Sequence, residues 1–203
     1  SWNCWARDVT QEQILSSARA MVEKGLADHG WSYINIDDGW QGRRGGRYNA
    51  IQPNKKFPDM AALTREIHDM GLRVGIYSTP WIGTYAAHIG SYSDRPDGEN
   101  EWIEKGLHNE NYRYQKPGGN YWEDRCEVWH HGPYSFVEAD VKQWAEWGID
   151  YLKYDWHPLN YYHVREMFDM LRKIDRDIIF SLSNSAPYGD APVWQRYANC
   201  WRT

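Results

Sequence analysis

Apolar residues recur at helical spacing along much of the chain, and each such stretch is followed by a short β-prone run. The first stretch begins at Thr10 and Gln13, which match a capping box. Apolar residues then recur every three or four positions, which predicts a first helix from about Gln11 to Asp28. The run Tyr33–Ile36 is predicted to be a strand, and Asp37-Asp38-Gly39 ends it with two carboxylates.

This unit of a helix followed by a strand recurs three more times. The further helical stretches are Asp59–Met70, Val137–Ala145 and Val164–Leu171, and the strands after them are Leu72–Tyr77, Tyr151–Tyr154 and Ile178–Leu182. A last helix through Tyr197 is predicted, with Asp190 as its cap and Pro192 in its first turn. Because strands alternate with helices, we predict a parallel sheet covered by helices.

The connection between the strands that start at Leu72 and Tyr151 is too long for this pattern. It contains residues 93–133, which are rich in Asp, Glu, Asn, Gly, Trp and Tyr and lack apolar periodicity. We interpret this segment as an insertion after the third strand, counting Trp2–Cys4 as the first, near the carboxyl ends of the strands. Its aromatic residues are expected to form an outer pocket wall that selects the leaving-group side of a substrate. They are Trp102, Tyr112, Tyr114, Tyr121, Trp122 and Trp129.

The charge of the chain excludes two classes of partner. Among its 203 residues, Lys and Arg number 23 and Asp and Glu 28, which gives a net charge of -5. With no basic cluster, neither a nucleic-acid partner nor an anionic membrane surface is expected. No uninterrupted apolar run approaches the roughly 20 residues of a membrane span.

Most aromatic residues of the chain carry a polar group. There are 13 Trp and 15 Tyr but only 4 Phe. Indole and phenol rings pack one face on apolar groups while an edge forms hydrogen bonds, and sugars offer both C–H faces and hydroxyls. The composition therefore favours a carbohydrate ligand.

The three cysteines indicate neither a metal site nor a compartment. Cys4, Cys126 and Cys200 are widely spaced, so they form one disulfide at most and match no zinc-binding spacing. The first residues of the chain match no targeting signal. We expect no cofactor and no metal ion.

Each predicted strand ends in polar side chains. These are Asp37 and Asp38, Tyr77 and Ser78, Asp155, and Ser183 and Asn184. In α/β barrels the carboxyl ends of the strands meet at one pocket, so these side chains are expected to share a site. The alternative is that the aspartates only cap the helix or turn that follows.

Lys153 and Asp155 lie two residues apart on one predicted strand. Alternation along the strand places both side chains on the same side. An ammonium group there would hold the carboxylate ionised at neutral pH. An ionised carboxylate in an aromatic-lined pocket suits a nucleophile.

Seven blocks of the sequence follow one another in a recognisable order. They are Trp2–Trp5, Tyr33–Trp40, Lys56–Pro58, Gly75–Ser78, Gly90–Tyr92, Trp147–Asp155 and Trp201–Arg202. In this order the chain resembles glycoside hydrolase family 27, the α-galactosidases and α-N-acetylgalactosaminidases, over nearly its whole length except the insertion. The resemblance implies a (β/α)8 TIM barrel. Residues 1–203 would be an incomplete barrel domain with the insertion at 93–133, supplying about six strands when Trp2–Cys4 and Asn199–Trp201 are counted.

The resemblance also implies a reaction. It is that of a retaining exo-glycosidase, which hydrolyses terminal α-D-galactosyl residues through a covalent glycosyl-aspartate intermediate. Asp155 would be the nucleophile, and Tyr77 would orient it. The general acid would be an Asp beyond Thr203, so the 203 residues alone are expected to be inactive.

The other implied roles concern binding of the terminal sugar of an oligosaccharide or glycoside. Asp37 and Asp38 would bind its 4- and 6-hydroxyls, and Lys153 would bind its 3- and 4-hydroxyls. Arg202 would bind at the 2-position. Trp2 would form part of the pocket wall.

One departure from the family leaves the substrate open. Residues 183–187, Ser-Asn-Ser-Ala-Pro, replace the Cys-Glu-Trp segment that helps α-galactosidases to read the 2-position. Galactose is the first expectation, and N-acetylgalactosamine, β-L-arabinopyranose or the end of an α-glucan chain are alternatives. The resemblance alone favours a secreted or periplasmic protein, and the sequence indicates no oligomeric state.

Two other classes of function are open. A catalytically silent carbohydrate-binding barrel would keep Asp37, Asp38 and the aromatic residues but lack a proton donor. A metal-dependent hydrolase would use these two carboxylates with His130 or His131. No His-x-His or His-Glu-x-x-His spacing supports the metal site.

Overall fold

The structure, a computed structural model, describes residues 1–100, 103, 128–183 and 185–203. Within these ranges the α-helices are α1 Trp2–Trp5, α2 Gln11–Glu23, α3 Met60–Asp69, α4 Val137–Trp147, α5 Tyr161–Leu171 and α6 Ala191–Tyr197. The strands are β1 Tyr33–Asn35, β2 Gln41–Gly45, β3 Ala50–Pro53, β4 Arg73–Ser78, β5 Tyr92–Ser93, β6 Tyr134–Ser135, β7 Tyr151–Tyr154, β8 Ile179–Leu182 and β9 Cys200–Trp201. None of the described helices has the length and apolar character needed to cross a membrane.

A parallel sheet of five strands is the centre of the fold. Its order is β1, β4, β7, β8 and β9, and every neighbouring pair is parallel. The predicted parallel sheet with connecting helices is therefore confirmed. Helices α3, α4 and α5 each connect two neighbouring strands, as crossover connections between parallel strands require.

The two faces of this sheet differ in polarity. Residues paired across neighbouring strands point to the same face. On one face lie the row Asn35, Gly75, Tyr151 and Ile179 and the next row Tyr77, Lys153, Ser181 and Cys200. The other face packs against the helices through the buried side chains of Ile34, Val74, Ile76, Leu152, Phe180 and Leu182. The register thus keeps the polar strand residues out of the helix-covered core.

Gly75 allows the strands to approach each other on the polar face. A Cβ atom at this position would lie 1.9 Å from Oδ1 of Asn35 and 3.2 Å from Cβ of Tyr151. A larger residue at this position would require the Asn35 side chain to move and would crowd Tyr151.

The prediction that Trp2–Cys4 is a strand is wrong. These residues belong to α1, where the backbone N–H groups of Cys4 and Trp5 both donate to the carbonyl of Ser1 at 3.1 Å. The turn satisfies these groups locally, so they need no strand partner. The described residues therefore supply five strands to the parallel sheet instead of six. The segment 93–133 follows β4, which is the second of these strands and not the third.

Helix α2 is shorter than predicted. Its capping box of Thr10 and Gln13 is confirmed, but the helix ends at Glu23 and not at Asp28. Gly25 adopts a φ of 71°, a left-handed conformation that ends a helix. Residues Ala27–His29 form a separate 3-10 helix.

The antiparallel hairpin of β2 and β3 is not predicted from the sequence, because Gln41–Gly45 lacks a strand-like apolar pattern. A buried ion pair holds it to α4. The guanidinium of Arg44 donates to both carboxylate oxygens of Asp140, at 2.7 and 3.2 Å, and to the carbonyl of Gly90 at 2.5 Å. Asp140 also accepts the N–H of Ile51 at 2.9 Å. The two charged side chains are only 3% and 0% exposed, so their hydrogen bonds must replace those of water.

Most of the predicted insertion lies outside the described residues. These parts include Trp102, Tyr112, Tyr114, Tyr121 and Trp122, and the same holds for Cys126. At the two ends of the segment, β5 and β6 pair antiparallel, with Tyr92 opposite Ser135 and Ser93 opposite Tyr134. The chain therefore leaves and re-enters the described fold at adjacent points.

Arg44→Met is expected to lower the free energy of unfolding by about 3 to 5 kcal/mol, because it leaves a buried carboxylate without its cation. The matched control is Arg95→Met, since Arg95 and Asp97 form an exposed ion pair, and little change is expected there. The measurement is urea unfolding of the full-length protein, followed by tryptophan fluorescence. Equal losses in the two variants would contradict a stabilising role for the buried pair.

Candidate active site

A cavity of about 990 Å³ opens at the carboxyl ends of the parallel strands, on the polar face of the sheet. It is lined by all seven residues to which the family resemblance gave a catalytic or sugar-binding role. They are Trp2, Asp37, Asp38, Tyr77, Lys153, Asp155 and Arg202. Ser183 lines it too, Asn184 lies outside the described residues, and Ser78 faces away and shares a 2.9 Å hydrogen bond with Ser91. The predicted shared site is therefore confirmed for the strand-end residues that line this cavity, is wrong for Ser78, and is not tested for Asn184.

Asp155 is a buried carboxylate at the end of β7. The hydroxyl of Tyr77 donates to its Oδ2 at 3.1 Å. Burial raises the pKa of Asp155 above its usual value, and the positive charge of Lys153 and the hydroxyls of Ser183 and Tyr77 offset part of this rise. Burial, with the charge of Asp155, also raises the pKa of Tyr77, so its phenol keeps the proton that it donates.

The expected effect of Lys153 on Asp155 needs a correction. The ammonium of Lys153 donates to Oδ2 of Asp37 at 2.9 Å, so its ion-pair partner is Asp37 and not Asp155. Its charge acts on Asp155 from a greater distance, and burial outweighs it. The pKa of Asp155 is therefore raised, whereas the sequence analysis considered only the stabilising charge of Lys153.

Asp38 is 1% exposed and has one satisfied and one unsatisfied carboxylate oxygen. Its Oδ2 accepts the N–H of Ala86 at 2.7 Å, and the side chain of Thr84 also forms a hydrogen bond to it. Oδ1 is buried and has no hydrogen-bond partner within the described part of the chain. Burial raises the pKa of Asp38 to about 7. A ligand hydroxyl in the cavity could satisfy the orphan oxygen.

Several cavity residues are not assigned by the sequence analysis. The main ones are Tyr85, Tyr151, Ser181 and Ser185. Period-two alternation from Lys153 and Ser183 could have found Tyr151 and Ser181. Tyr85 lies in a loop beyond β4 and has no such signal.

The metal hypothesis finds no support in the described geometry. His130 contacts Asp94 at 3.0 Å, and His131 contacts the carbonyl of Pro80 at 2.9 Å. Neither histidine lines the cavity that contains Asp37 and Asp38. Within residues 1–100, 103, 128–183 and 185–203, no three His, Cys, Asp or Glu side chains are grouped so as to hold a metal ion.

Comparisons with known proteins point to one family. Residues 3–108, about half of the chain, match the sequence model of the family described as alpha galactosidase A. The alpha-galactosidase A of Cellvibrio japonicus is 32% identical, and the match covers 100% of this chain and 41% of that protein. The chain thus spans less than half the length of this relative.

Solved structures give the same picture. The crystal structure of alpha-galactosidase I from Mortierella vinacea has a TM-score of 0.73 and 28% identity, covering 99% of this chain and 43% of that one. The alpha-galactosidase from Saccharomyces cerevisiae, solved with raffinose, has a TM-score of 0.72 over 100% of this chain and 38% of that one. At 23% identity, the latter shows a common fold alone.

Asp38→Asn is expected to change the pH dependence of stability. The folded protein holds the Asp38 proton up to about pH 7, whereas an unfolded carboxyl releases it near 3.8. Between these values unfolding releases a proton, so the wild-type protein loses stability as pH rises, by up to about 4 kcal/mol. The variant lacks this contribution.

The measurement is chemical unfolding of full-length wild type, Asp38→Asn and the exposed control Asp28→Asn between pH 4 and 7. The stability of Asp38→Asn relative to wild type should increase with pH, and Asp28→Asn should follow the wild type. A constant difference between Asp38→Asn and wild type would contradict the raised pKa.

Proposed function

Because the chain belongs to the alpha-galactosidase A family, within glycoside hydrolase family 27, we propose that the whole protein hydrolyses terminal α-D-galactosyl residues of oligosaccharides or glycosides. The observation that carries this proposal is the buried Asp155 carboxylate, held by the Tyr77 hydroxyl in a cavity with the Asp37–Lys153 ion pair. Such a cavity combines a nucleophile with fixed polar groups for sugar hydroxyls.

The proposed reaction is a double displacement with retention. A carboxylate oxygen of Asp155 attacks the anomeric carbon, the bond to the leaving oxygen breaks, and an acid protonates that oxygen. Water then cleaves the glycosyl-aspartate ester. The acid that protonated the leaving oxygen, now deprotonated, acts as the base that removes the proton from this water. The hydrogen bond from Tyr77 fixes one oxygen of Asp155 and so aims the other at the sugar.

The sugar ring is proposed to bind between the ion pair and Asp38. Asp37 and Lys153 hold each other at 2.9 Å, so their remaining lone pairs and N–H bonds are fixed in direction. Asp38 adds its unsatisfied Oδ1. Trp2 and Arg202 also line the cavity and are proposed as further contacts for the ring and its 2-substituent.

A second carboxyl group must supply the proton, and we propose that it lies outside the described residues. The carboxyl groups that line the described cavity are those of Asp37, Asp38 and Asp155. Asp37 is paired with Lys153, and Asp38 is held by the N–H of Ala86. Neither is free to approach a leaving oxygen beside Asp155.

We also propose that the five parallel strands are part of a (β/α)8 barrel. The polar face of the sheet, with Lys153 and Ser181 in one row, is the face that a barrel turns inward. Helices cover the opposite face, as in the outer layer of such barrels.

A carbohydrate-binding protein without turnover is the second candidate. The position of the described cavity carboxyls favours it, because none of them is placed as a separate acid.

The substrate alternatives rest on Ser183 and Ser185, which line the cavity. A panel of aryl α-galactoside, α-N-acetylgalactosaminide, β-L-arabinopyranoside and α-glucoside tests both questions on the full-length protein. Binding without hydrolysis of any of them would favour the second candidate.

The initial product tests the retaining mechanism. Proton NMR during hydrolysis of the aryl α-galactoside should show α-galactose first, before mutarotation to the β-anomer. If β-galactose appears first, the double displacement is wrong even though the hydrolase proposal stands.

Asp155→Asn is expected to lower kcat by at least about a thousandfold while galactose still binds, because only one charged oxygen is replaced. The control is Asp28→Asn, at an exposed position outside the cavity. Aryl α-galactoside hydrolysis and calorimetric titration with galactose measure the two properties. Activity of Asp155→Asn within about tenfold of the wild type would refute the nucleophile.

Tyr77→Phe is expected to move the acidic limb of the kcat/KM profile to higher pH. The phenol stabilises the ionised form of Asp155, so its removal raises the pKa of that carboxyl further. Tyr134→Phe, an exposed position on β6, should leave the limb in place. An unmoved limb in Tyr77→Phe would show that this hydrogen bond does not set the charge of the nucleophile.

A further inference from the structure

Tyr85 lines the cavity and belongs to the loop that holds Asp38. The residues on either side of it, Thr84 and Ala86, both form hydrogen bonds to the Asp38 carboxylate. Tyr85 itself is half-buried, so part of its ring is exposed to the cavity. Its phenol is also close enough to add to the electrostatic rise in the pKa of Tyr77. Tyr85 therefore lies in the cavity wall next to the residues that hold Asp38.

Two tryptophans fix the Tyr85 ring from outside the cavity. Trp81 and Trp129 stack on each other, with centroids 6.0 Å apart and an interplanar angle of 21°. Tyr85 packs edge-on against both, at 5.1 Å from each centroid. Aromatic pairs in this arrangement attract each other beyond simple area burial. We refer to Trp81, Tyr85 and Trp129 as the aromatic triad.

Trp129 lies at the distant end of the segment 93–133. Its side chain and the backbone of its two neighbours bind to the loop that contains Tyr85. Its indole N–H donates to the carbonyl of Thr84 at 3.2 Å. On its two sides, the carbonyl of Val128 accepts the N–H of Gly83 at 2.9 Å, and that of His130 accepts the N–H of Ile82 at 3.0 Å. Residues 128 and 130 thus pair with residues 82–83, and Trp129 between them packs against the loop of Tyr85.

We propose that Tyr85 is a sugar-contacting residue of this cavity and that Trp129 is its positioning residue. The exposed part of the Tyr85 ring offers an apolar surface beside Asp38, and a pyranose offers C–H groups beside its hydroxyls. Trp129 restricts Tyr85 to one orientation and holds the Thr84–Ala86 backbone against Asp38. Residues 128–130 therefore act on sugar affinity through this contact. The inference rests on the proposed function and adds to it two residues and their division of roles.

The first experiment changes Tyr85 in the full-length protein. Tyr85→Ala and Tyr85→Leu should each raise KM for an aryl α-galactoside about tenfold and weaken galactose binding equally, with kcat within about threefold of wild type. Tyr85→Phe keeps the ring and should stay close to wild type. Tyr134→Ala, at an exposed tyrosine outside the cavity, is the control. Tyr85→Leu removes the ring but leaves a larger apolar side chain than alanine, so it tests the ring even if Tyr85→Ala does not fold. Unchanged KM in folded Tyr85→Leu would overturn the contact.

The second experiment tests Trp129 through a double-mutant cycle. Trp129→Ala should raise KM in the same direction as Tyr85→Ala, and the double variant should show no further rise, because one variant acts through the other. Trp129→Phe should restore most of the affinity. The control is Trp31→Ala, at an exposed tryptophan that does not line the cavity. A merely structural tryptophan would lower the melting temperature of Trp129→Ala and leave KM unchanged, and effects that add in the double variant would equally overturn the positioning role.

The two proposals fail in different ways. If wild-type protein neither hydrolyses the aryl glycosides nor binds galactose, the proposed function is wrong. If wild type is active and the Tyr85 and Trp129 variants keep its KM, the function stands and the further inference is wrong.

Discussion

The register of the parallel strands is the constraint on which the site depends. Pairing of Tyr77 with Lys153 puts both side chains on the polar face, and Asp155 follows two residues later on that face. A slip of one residue would turn these groups into the apolar core and bring leucine and isoleucine side chains to the cavity. Gly75 lies on the same face, where a larger residue would displace the side chain of Asn35 on the neighbouring strand.

Three carboxyl groups share this cavity, and the protein gives each a different environment. Asp37 has a cation at 2.9 Å, Asp38 has backbone and hydroxyl donors, and Asp155 has the phenol of Tyr77. Like charges at close range raise each other's pKa. If the three carboxyl groups had equal environments, nothing would determine which of them keeps a proton. Separate partners instead distinguish Asp37, which is paired with the ammonium of Lys153, from Asp38, which has a pKa of about 7.

Local signals in the sequence predict the parts of the site that lie on strands. Asp37, Asp38 and Asp155 each follow a β-prone run, and parallel strands bring such ends together without any knowledge of long-range contacts. The sequence does not predict helix α1, Trp2–Trp5, because its four residues can form their backbone hydrogen bonds in a helical turn as well as in a strand. The partner of Lys153 was missed because Asp37 is 116 positions away and only the fold decides which carboxylate is nearer. Tyr85 is not predicted for the same reason, because its ring packs against Trp129, which lies at the distant end of the segment 93–133.

The side-by-side ends of the segment 93–133 have a consequence for how this protein can evolve. Tyr92 and Ser135 are paired neighbours, so the chain between them closes a loop whose two ends are already fixed. The entropy of closing such a loop rises only with the logarithm of its length, about 0.6 kcal/mol for each doubling. Residues can therefore be gained, lost or exchanged in that stretch at little thermodynamic cost to the parallel sheet. Natural selection can thus alter that stretch while the register that holds Asp155 stays the same.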